Sequence, residues 1–184
     1  MSDPFGVQQE AKKFLSGGSI AAKFPKKGFT FEGTVLSFRM AQRTDMKSGE
    51  PLYWESRQTV EESKLKFESS KDNPAMQLLL EVQGEPTGIT WKTNQYIEEA
   101  VPDDDGVRTM YVTGGLQKAL SKALRDAGNA DVEKGAYVKV TRGESVKMGD
   151  FMGFTYKAEW TPAADNSQAA NSFVKGEGGD PFAD

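Results

Sequence analysis

The chain has neither cysteine nor histidine among its 184 residues. These two absences exclude disulfide bonds, thiolate nucleophiles, zinc sites built on Cys or His, and acid–base catalysis by imidazole. Any catalysis would have to rely on carboxylate, lysine, tyrosine or serine side chains. We therefore predict a protein that is not an enzyme and that binds no cofactor and no metal ion.

Long apolar runs are also missing. No segment approaches the ~20 consecutive apolar residues that a membrane-spanning helix needs. The N-terminal sequence MSDPFGVQQEAKKFL lacks the basic and then apolar stretches of a secretion signal. From these absences we expect a cytoplasmic protein without a membrane partner. Hydrophobic residues make up only 37% of the chain, so part of it is expected to be tail or loop.

Basic residues are fewer than acidic ones, and the net charge is −4. Most of that excess lies in residues 162–184, which contain four acids and one base, so the rest of the chain has 23 acids and 22 bases. The composition of this end cannot bury enough apolar surface to order itself. We predict an N-terminal arm at 1–25 that can hold a short helix, a globular domain at 26–162, and a disordered acidic tail at 163–184.

Alternating and β-branched residues predict strands, and one segment has the period of a helix. Residues 28–45 alternate until the phase of the apolar positions changes between Gly33 and Leu36, which predicts a bulge or a sharp bend. Further strands are predicted at 51–56, which would return along the first strand, and at 75–84, 107–114, 135–144 and 153–162. Apolar residues at helical spacing predict a helix over 115–130 that ends at Gly128; they are Leu116, Ala119, Leu120, Ala123, Leu124 and Ala127.

The order of these elements indicates a fold class. Strands in succession, then one helix, then two strands do not alternate as βαβ units, so a parallel sheet is not expected. Residues 60–74 and 145–153 are predicted to be loops, with an extra hairpin around 89–96. The order is that of the OB fold, a mainly β, five-stranded barrel with one α-helix between strands three and four.

Four blocks of sequence occur in a recognisable order: FEGTVLSFRMAQRTDMKSGEPLYW, DNPAMQLLLEVQ, DDDGVRTMYVTGGLQKALSKALRDAG and YKAEWTP. Together they resemble the OB-fold single-stranded DNA-binding proteins of tailed bacteriophages of actinobacteria, over about residues 24–162. The resemblance implies binding of single-stranded DNA without strong sequence preference, during phage DNA replication, recombination or repair in the infected host cell. The glycine-rich acidic end is similar to the tails of bacterial single-stranded DNA-binding proteins, whose tips dock on other replication and repair proteins.

A surface that follows a single strand needs cations for the phosphates and exposed rings that stack on the bases. In OB domains the face of strands two and three is the usual binding surface. On these grounds we assign twelve candidate DNA contacts: Arg39, Arg43, Lys47, Tyr53, Trp54, Arg57, Trp91, Lys92, Tyr111, Lys139, Arg142 and Lys147. Trp54 is favoured for stacking, because it alternates with Tyr53 and one of the two rings must point away from the core.

Several of these residues have a structural alternative. Phe38 can belong to the core, and the arginines near it can be solvated. Trp91 and Lys92 either clamp a base or cover one end of the barrel. In the last strand, the aromatic residues at 154, 156 and 160 share one face and are predicted to be core.

The three aspartates at 103–105 raise the question of a metal site, since clustered carboxylates bind Mg²⁺. Adjacent aspartates in a turn point in different directions, and no further acids follow at a fixed spacing. An Asp-Gly turn that leads into the strand at 107 explains the segment without a metal ion.

The tripeptide Asp-Pro-Phe stands at residues 3–5 and again at 180–182. Glycines and acids around the second copy keep its ring out of a core, so we predict that Asp180, Pro181 and Phe182 bind replication or recombination proteins. Unlike the usual bacterial tip, the phenylalanine is not terminal. The alternative is an OB-like adaptor that engages proteins through both copies and does not bind DNA. A homo-oligomer is compatible with either function.

Overall fold

The computed structural model describes residues 20–92, 97–148 and 151–163. Ten strands and one α-helix lie in these ranges: β1 (Ile20–Ala21), β2 (Thr30–Gln42), β3 (Leu52–Glu55), β4 (Gln58–Glu61), β5 (Met76–Gln83), β6 (Ile89–Trp91), β7 (Glu98–Ala100), β8 (Val107–Val112), α1 (Gly114–Asp126), β9 (Tyr137–Met148) and β10 (Phe151–Thr161). Two 3-10 turns, Glu62–Lys64 and Glu68–Asp72, lie between β4 and β5. The fold is mainly β with one helix, as the sequence predicts.

Six of the strands form one curled sheet in the order β1-β8-β5-β2-β9-β10, and β3–β4 and β6–β7 form separate two-stranded sheets. The described part of the sheet thus has six strands instead of the predicted five. The sixth is β1, whose two residues pair in parallel with Arg108 and Thr109 of β8. All other strand pairs are antiparallel.

The longest strand, β2, bends and pairs with two neighbouring strands. Residues Thr30 to Thr34 pair with β9, and Thr34 to Gln42 pair with β5. The register with β5 shifts between Val35 and Ser37, which confirms the predicted change of phase. At Gly33 an added Cβ would lie 2.1 Å from the carbonyl oxygen of Gln83, so only glycine allows β5 to approach this closely.

The hydrophobic core lies between the concave side of the sheet and α1. Leu80, Val82, Met110, Val138 and Val140 are fully buried in it. Helix α1 contributes Leu116, Leu120 and Ala123 from its predicted apolar stripe, and the chain leaves the helix through Gly128 at a φ of +83°. Of the three β10 aromatic residues predicted to be core, Trp160 is buried there and Tyr156 packs partly buried against it. Phe154 instead lies under the Arg142 guanidinium, outside this cluster.

Two segments differ from the sequence-based expectation. The predicted return strand does begin at Leu52, whose N–H donates to Arg43 O at 2.8 Å, but β3 then pairs with β4 instead of continuing along β2. The predicted loop at 145–153 is mostly strand, since pairs such as Lys147 with Met152 extend the β9–β10 hairpin to Met148 and Phe151. Both differences are hairpin pairings, and the turn of the first, Ser56-Arg57, lacks the glycine or asparagine that normally signals one.

The predicted hairpin near residues 89–96 is present as β6 and β7, and a buried ion pair fastens its base. Arg108 donates to both carboxylate oxygens of Asp104, at 2.7 and 2.8 Å. Asp104 also accepts the backbone N–H groups of Thr87, Gly88 and Gly106. The Arg108 hydrogen bond, followed by these N–H groups, outweighs burial and holds the pKa of Asp104 well below its ordinary value.

Among the described residues, no helix has the length and apolar composition required to traverse a bilayer.

We predict that Asp104→Asn lowers the free energy of unfolding by about 3–5 kcal/mol, because it leaves the buried Arg108 guanidinium without its counter-charge. The measurement is urea unfolding at neutral pH. The stabilisation is present above the ordinary aspartate pKa of about 3.9 and is lost in stronger acid as the folded-state carboxylate takes up its proton, so the two proteins converge there.

The matched control is Asp103→Asn, in an exposed neighbour at a φ of +52° where asparagine is tolerated. Its effect should stay within about 0.5 kcal/mol. Equal losses of stability in both variants would show that the Asp104–Arg108 ion pair does not hold the β6–β7 hairpin in place.

Candidate nucleic-acid interface

One row of side chains crosses three neighbouring strands on the convex face of the sheet. Arg39 of β2 lies opposite Leu79 of β5, which lies opposite Tyr111 of β8. Directly opposed residues in antiparallel strands share a face, and this face is the one turned away from the buried Leu80 and Met110. Arg39 is exposed, Tyr111 is 48% exposed, and Leu79 between them is buried. The row therefore offers an aromatic ring and a guanidinium on an apolar floor.

Arg43 continues this face toward the end of β2. It lies four residues beyond Arg39 on the same side of the strand, about 13 Å away along the backbone. Its N–H donates to Ala75 O at 2.7 Å, which extends the pairing of β2 with the segment that enters β5. Lys47 follows in the turn, where Asp45 accepts the N–H groups of Lys47 and Ser48, and its side chain is exposed.

The β3–β4 hairpin adds two rings and a cation next to the end of β2. Trp54 is 41% exposed and Tyr53 is half-buried, so of the two rings Trp54 is the more exposed, as predicted. Ser56 and Arg57 form the tip with φ values of +49° and +67°. A two-residue hairpin turn with both φ values positive normally uses glycine or asparagine, yet here the tip holds an exposed guanidinium.

A buried carboxylate anchors this hairpin. Glu55 is 7% exposed and accepts hydrogen bonds from Lys66 N–H, Phe67 N–H and Ser70 Oγ. Burial alone would raise the pKa of Glu55, but the Ser70 hydroxyl and the two backbone N–H groups together lower it. The turn at 66–70 is thus tied to β3, and with it the exposed ring of Phe67.

Exposed rings outside the assigned contacts include Phe67, which the sequence analysis does not single out, and Phe38, for which it leaves a core position as the alternative. Phe67 is 60% exposed but lies in a segment whose polar composition is typical of a surface loop. Phe38 lies opposite Leu80 on the concave face, where its neighbours are core, and is nevertheless 46% exposed. The alternation pattern places Phe38 on the correct face but does not give its exposure.

Three other candidate DNA contacts lie outside the row on the convex face and the β3–β4 hairpin: Trp91, Lys92 and Lys139. Trp91 packs edge-on against Phe29 at 4.8 Å between ring centroids, which favours the covering role over the clamp. Lys92 next to it is exposed, and its N–H donates to Ile97 O. Lys139 lies on the part of the sheet formed by β2 and β9, where its Nζ is 3.4 Å from Glu32.

Arg142 and Lys147 both lie on β9 but differ in exposure. Arg142 is 8% exposed, and its Nη1 donates to Phe24 O and Pro25 O at 2.7 and 2.8 Å. The placement does not suit a direct contact with DNA, because the guanidinium is buried against the protein backbone. Lys147 is exposed near the tip of the β9–β10 hairpin.

The residues assigned to partner binding, Asp180, Pro181 and Phe182, lie outside the described residues. Within the described ranges, no group of three or more acidic side chains is arranged to hold a metal ion. Asp104 of the aspartate cluster is instead bound by Arg108.

Searches against family models, curated proteins and solved structures find no match to this chain.

Proposed function

We propose that the chain is an OB-type protein that binds single-stranded DNA without strong sequence preference and catalyses no reaction. The observation that carries this proposal is the row of Arg39, Leu79 and Tyr111 across β2, β5 and β8. Tyr111 and Arg39 lie on either side of β5, about 10 Å apart. An exposed ring and a guanidinium on one face are the groups that a single strand needs, since the ring stacks on a base and the cation contacts a phosphate.

The arrangement of strands supports the OB assignment. Strands β2, β5, β8, β9 and β10 follow one another in the chain as the five strands of that fold, and α1 stands between the third and fourth of them. The first strand of the five pairs with both the second and the fourth, which curls the sheet. With this assignment, the binding face of the OB fold is the face of the sheet that carries Leu79 and Tyr111. The β3–β4 hairpin then lies in the loop between the first two OB strands, β2 and β5.

The charge distribution supports contact chemistry over long-range attraction. The chain outside residues 162–184 has 23 acids and 22 bases, so attraction of a polyanion must come from local groups. Stacking on Tyr111 and Trp54 is independent of base identity, because every base has a flat face. The expected binder has modest affinity and a strong dependence on salt.

The acidic end is proposed to recruit other proteins. The acidic, glycine-rich sequence around Phe182 contains a single ring with a proline and an aspartate beside it. A small apolar pocket on a partner would bury the ring, and a basic residue at its rim would orient the acid. The partners expected from the resemblance are replication and recombination proteins.

The proposal predicts that the protein binds a fluorescent single-stranded oligonucleotide more tightly than the same sequence as a duplex. Paired bases present no free faces to Tyr111 and Trp54, so the stacking contribution is lost. Fluorescence polarisation at two salt concentrations measures both affinities. Equal affinity for the two forms, or no binding, would contradict the proposal and favour the adaptor.

Replacing the ring on the convex face tests the site. Tyr111→Ala should weaken single-strand binding by about 1–3 kcal/mol, or roughly 5–150-fold, since one stacking contact is lost. Tyr137→Ala is the matched control, because Tyr137 is 41% exposed but lies on β9, away from the row. If both variants bind as tightly as the unaltered protein, Tyr111 does not contact the strand.

Removal of the acidic end should separate the two proposed activities. A chain that ends at Ala163 keeps the hydrogen bond from Ala163 N–H to Glu133, so the described fold is preserved. It should bind single-stranded DNA as well as or better than the full chain, because three net negative charges are removed, and should lose its protein partners in a pull-down from infected cells. Weaker DNA binding would contradict electrostatic competition between this end and the strand, and unchanged capture of partners would contradict its recruiting role.

A further inference from the structure

A lysine-rich turn precedes β2 and lies outside the predicted set of DNA contacts. Residues 23–28 read KFPKKG, and the side chains of Lys26 and Lys27 are exposed. Phe29 N–H donates to Lys26 O at 3.1 Å, and Gly28 has a φ of +80°, which only glycine adopts readily. The turn therefore has a defined backbone that presents two neighbouring lysines.

Arg142 holds this turn in place from within the sheet. Its Nη1 donates to the carbonyl oxygens of Phe24 and Pro25, while its own backbone exchanges hydrogen bonds with Gly28 N–H and Phe29 O. The guanidinium also lies 3.6 Å over the ring of Phe154 on β10. Both ends of the turn are thus hydrogen-bonded to Arg142, in the middle of β9.

The strand beside the turn also contacts it through a lysine. Lys27 pairs with Glu144 of β9. Within the described ranges, Lys26 has no acidic partner at ion-pair distance. The Lys27–Glu144 pair is 68% and 65% exposed, and such surface pairs contribute at most about 1 kcal/mol, so a phosphate can replace Glu144.

We propose that Lys26 and Lys27 form a second surface that binds the phosphodiester backbone of the single strand. Arg142 acts as a positioning residue, because it fixes the turn that carries both cations. This inference rests on the proposed function and extends it beyond the row on the convex face. Lysine ammonium groups are mobile point charges without the planar fork of arginine, so this surface contributes affinity without reading sequence.

The salt dependence of binding tests this surface. Each phosphate contact contributes about 0.7 to the slope of log affinity against log salt concentration for a single strand. The double variant Lys26→Ala/Lys27→Ala should therefore lower the magnitude of this slope by about 1.4. The measurement is fluorescence polarisation of a single-stranded oligonucleotide at four or more salt concentrations.

The control removes the same charge elsewhere. Lys118→Ala/Lys134→Ala replaces two exposed lysines outside the turn and hairpin and should leave the slope within about 0.3 of the unaltered value, well below one phosphate contact. If the two double variants change the slope equally, only the net charge matters and the proposed surface is wrong. If the unaltered chain does not bind single-stranded DNA at all, the proposed function fails as well.

Arg142→Gln tests the positioning role. Glutamine keeps a polar side chain but is shorter than arginine, so it should no longer hold the turn that carries Lys26 and Lys27. The magnitude of the slope of log affinity against log salt concentration should then fall by up to the same ~1.4, although both lysines are still present. Circular dichroism shows whether this variant is folded. A folded Arg142→Gln variant with an unchanged slope would overturn the positioning role, and an unfolded one leaves the decision to the lysine variants.

Discussion

The bend of β2 is the constraint on which the rest of the structure depends. Before the register shift, Val35 points into the core; after it, Phe38 and Met40 take that side. Without the extra residue, strict alternation would turn Arg39 toward the core instead of solvent. The close approach of Gly33 to Gln83 that accompanies the shift brings β5 against β2. One irregularity therefore curls the sheet and also sends the cations of the proposed site to its convex face.

Local pattern predicted the elements well and their long-range partners poorly. The phase change in β2, the stripe of α1 and the outward parity of Tyr111 follow from periods of 2.0 and 3.6 residues. The packing of Trp91 on Phe29 and the burial of Arg142 depend on residues far away in sequence, which no local period encodes. The β3–β4 hairpin is local but is missed because its turn, Ser56-Arg57, lacks the usual glycine or asparagine. Half-exposed rings such as Phe67 are missed for a related reason, because exposure is a property of the assembled surface.

Charged residues serve two different purposes in this chain. Asp104, Glu55 and Arg142 are buried, and each attaches an irregular segment to the sheet through backbone hydrogen bonds. These segments are the β6–β7 hairpin, the turn at 66–70 and the lysine turn at 23–28. A charge that is buried needs such partners to offset its desolvation. Counting cations along the sequence therefore overestimates the binding surface, and it also overlooks the residues that position it.

Once the buried charges are set aside, few of the candidate cations remain for contact with DNA. Where these cations lie on the surface therefore matters more for binding than how many there are. At physiological ionic strength a charge acts over about 8 Å, and the near balance of acids and bases outside the acidic end leaves little long-range field. Arg39 and Arg43 are separated by about 13 Å along β2, which exceeds that screening distance, so each acts on its own phosphate. Glu81 lies one row from Arg39 on the same face and reduces the local potential further. Affinity on this face must then come largely from the rings and the apolar floor at Leu79, and the contribution from charge must be added at separate places along the strand.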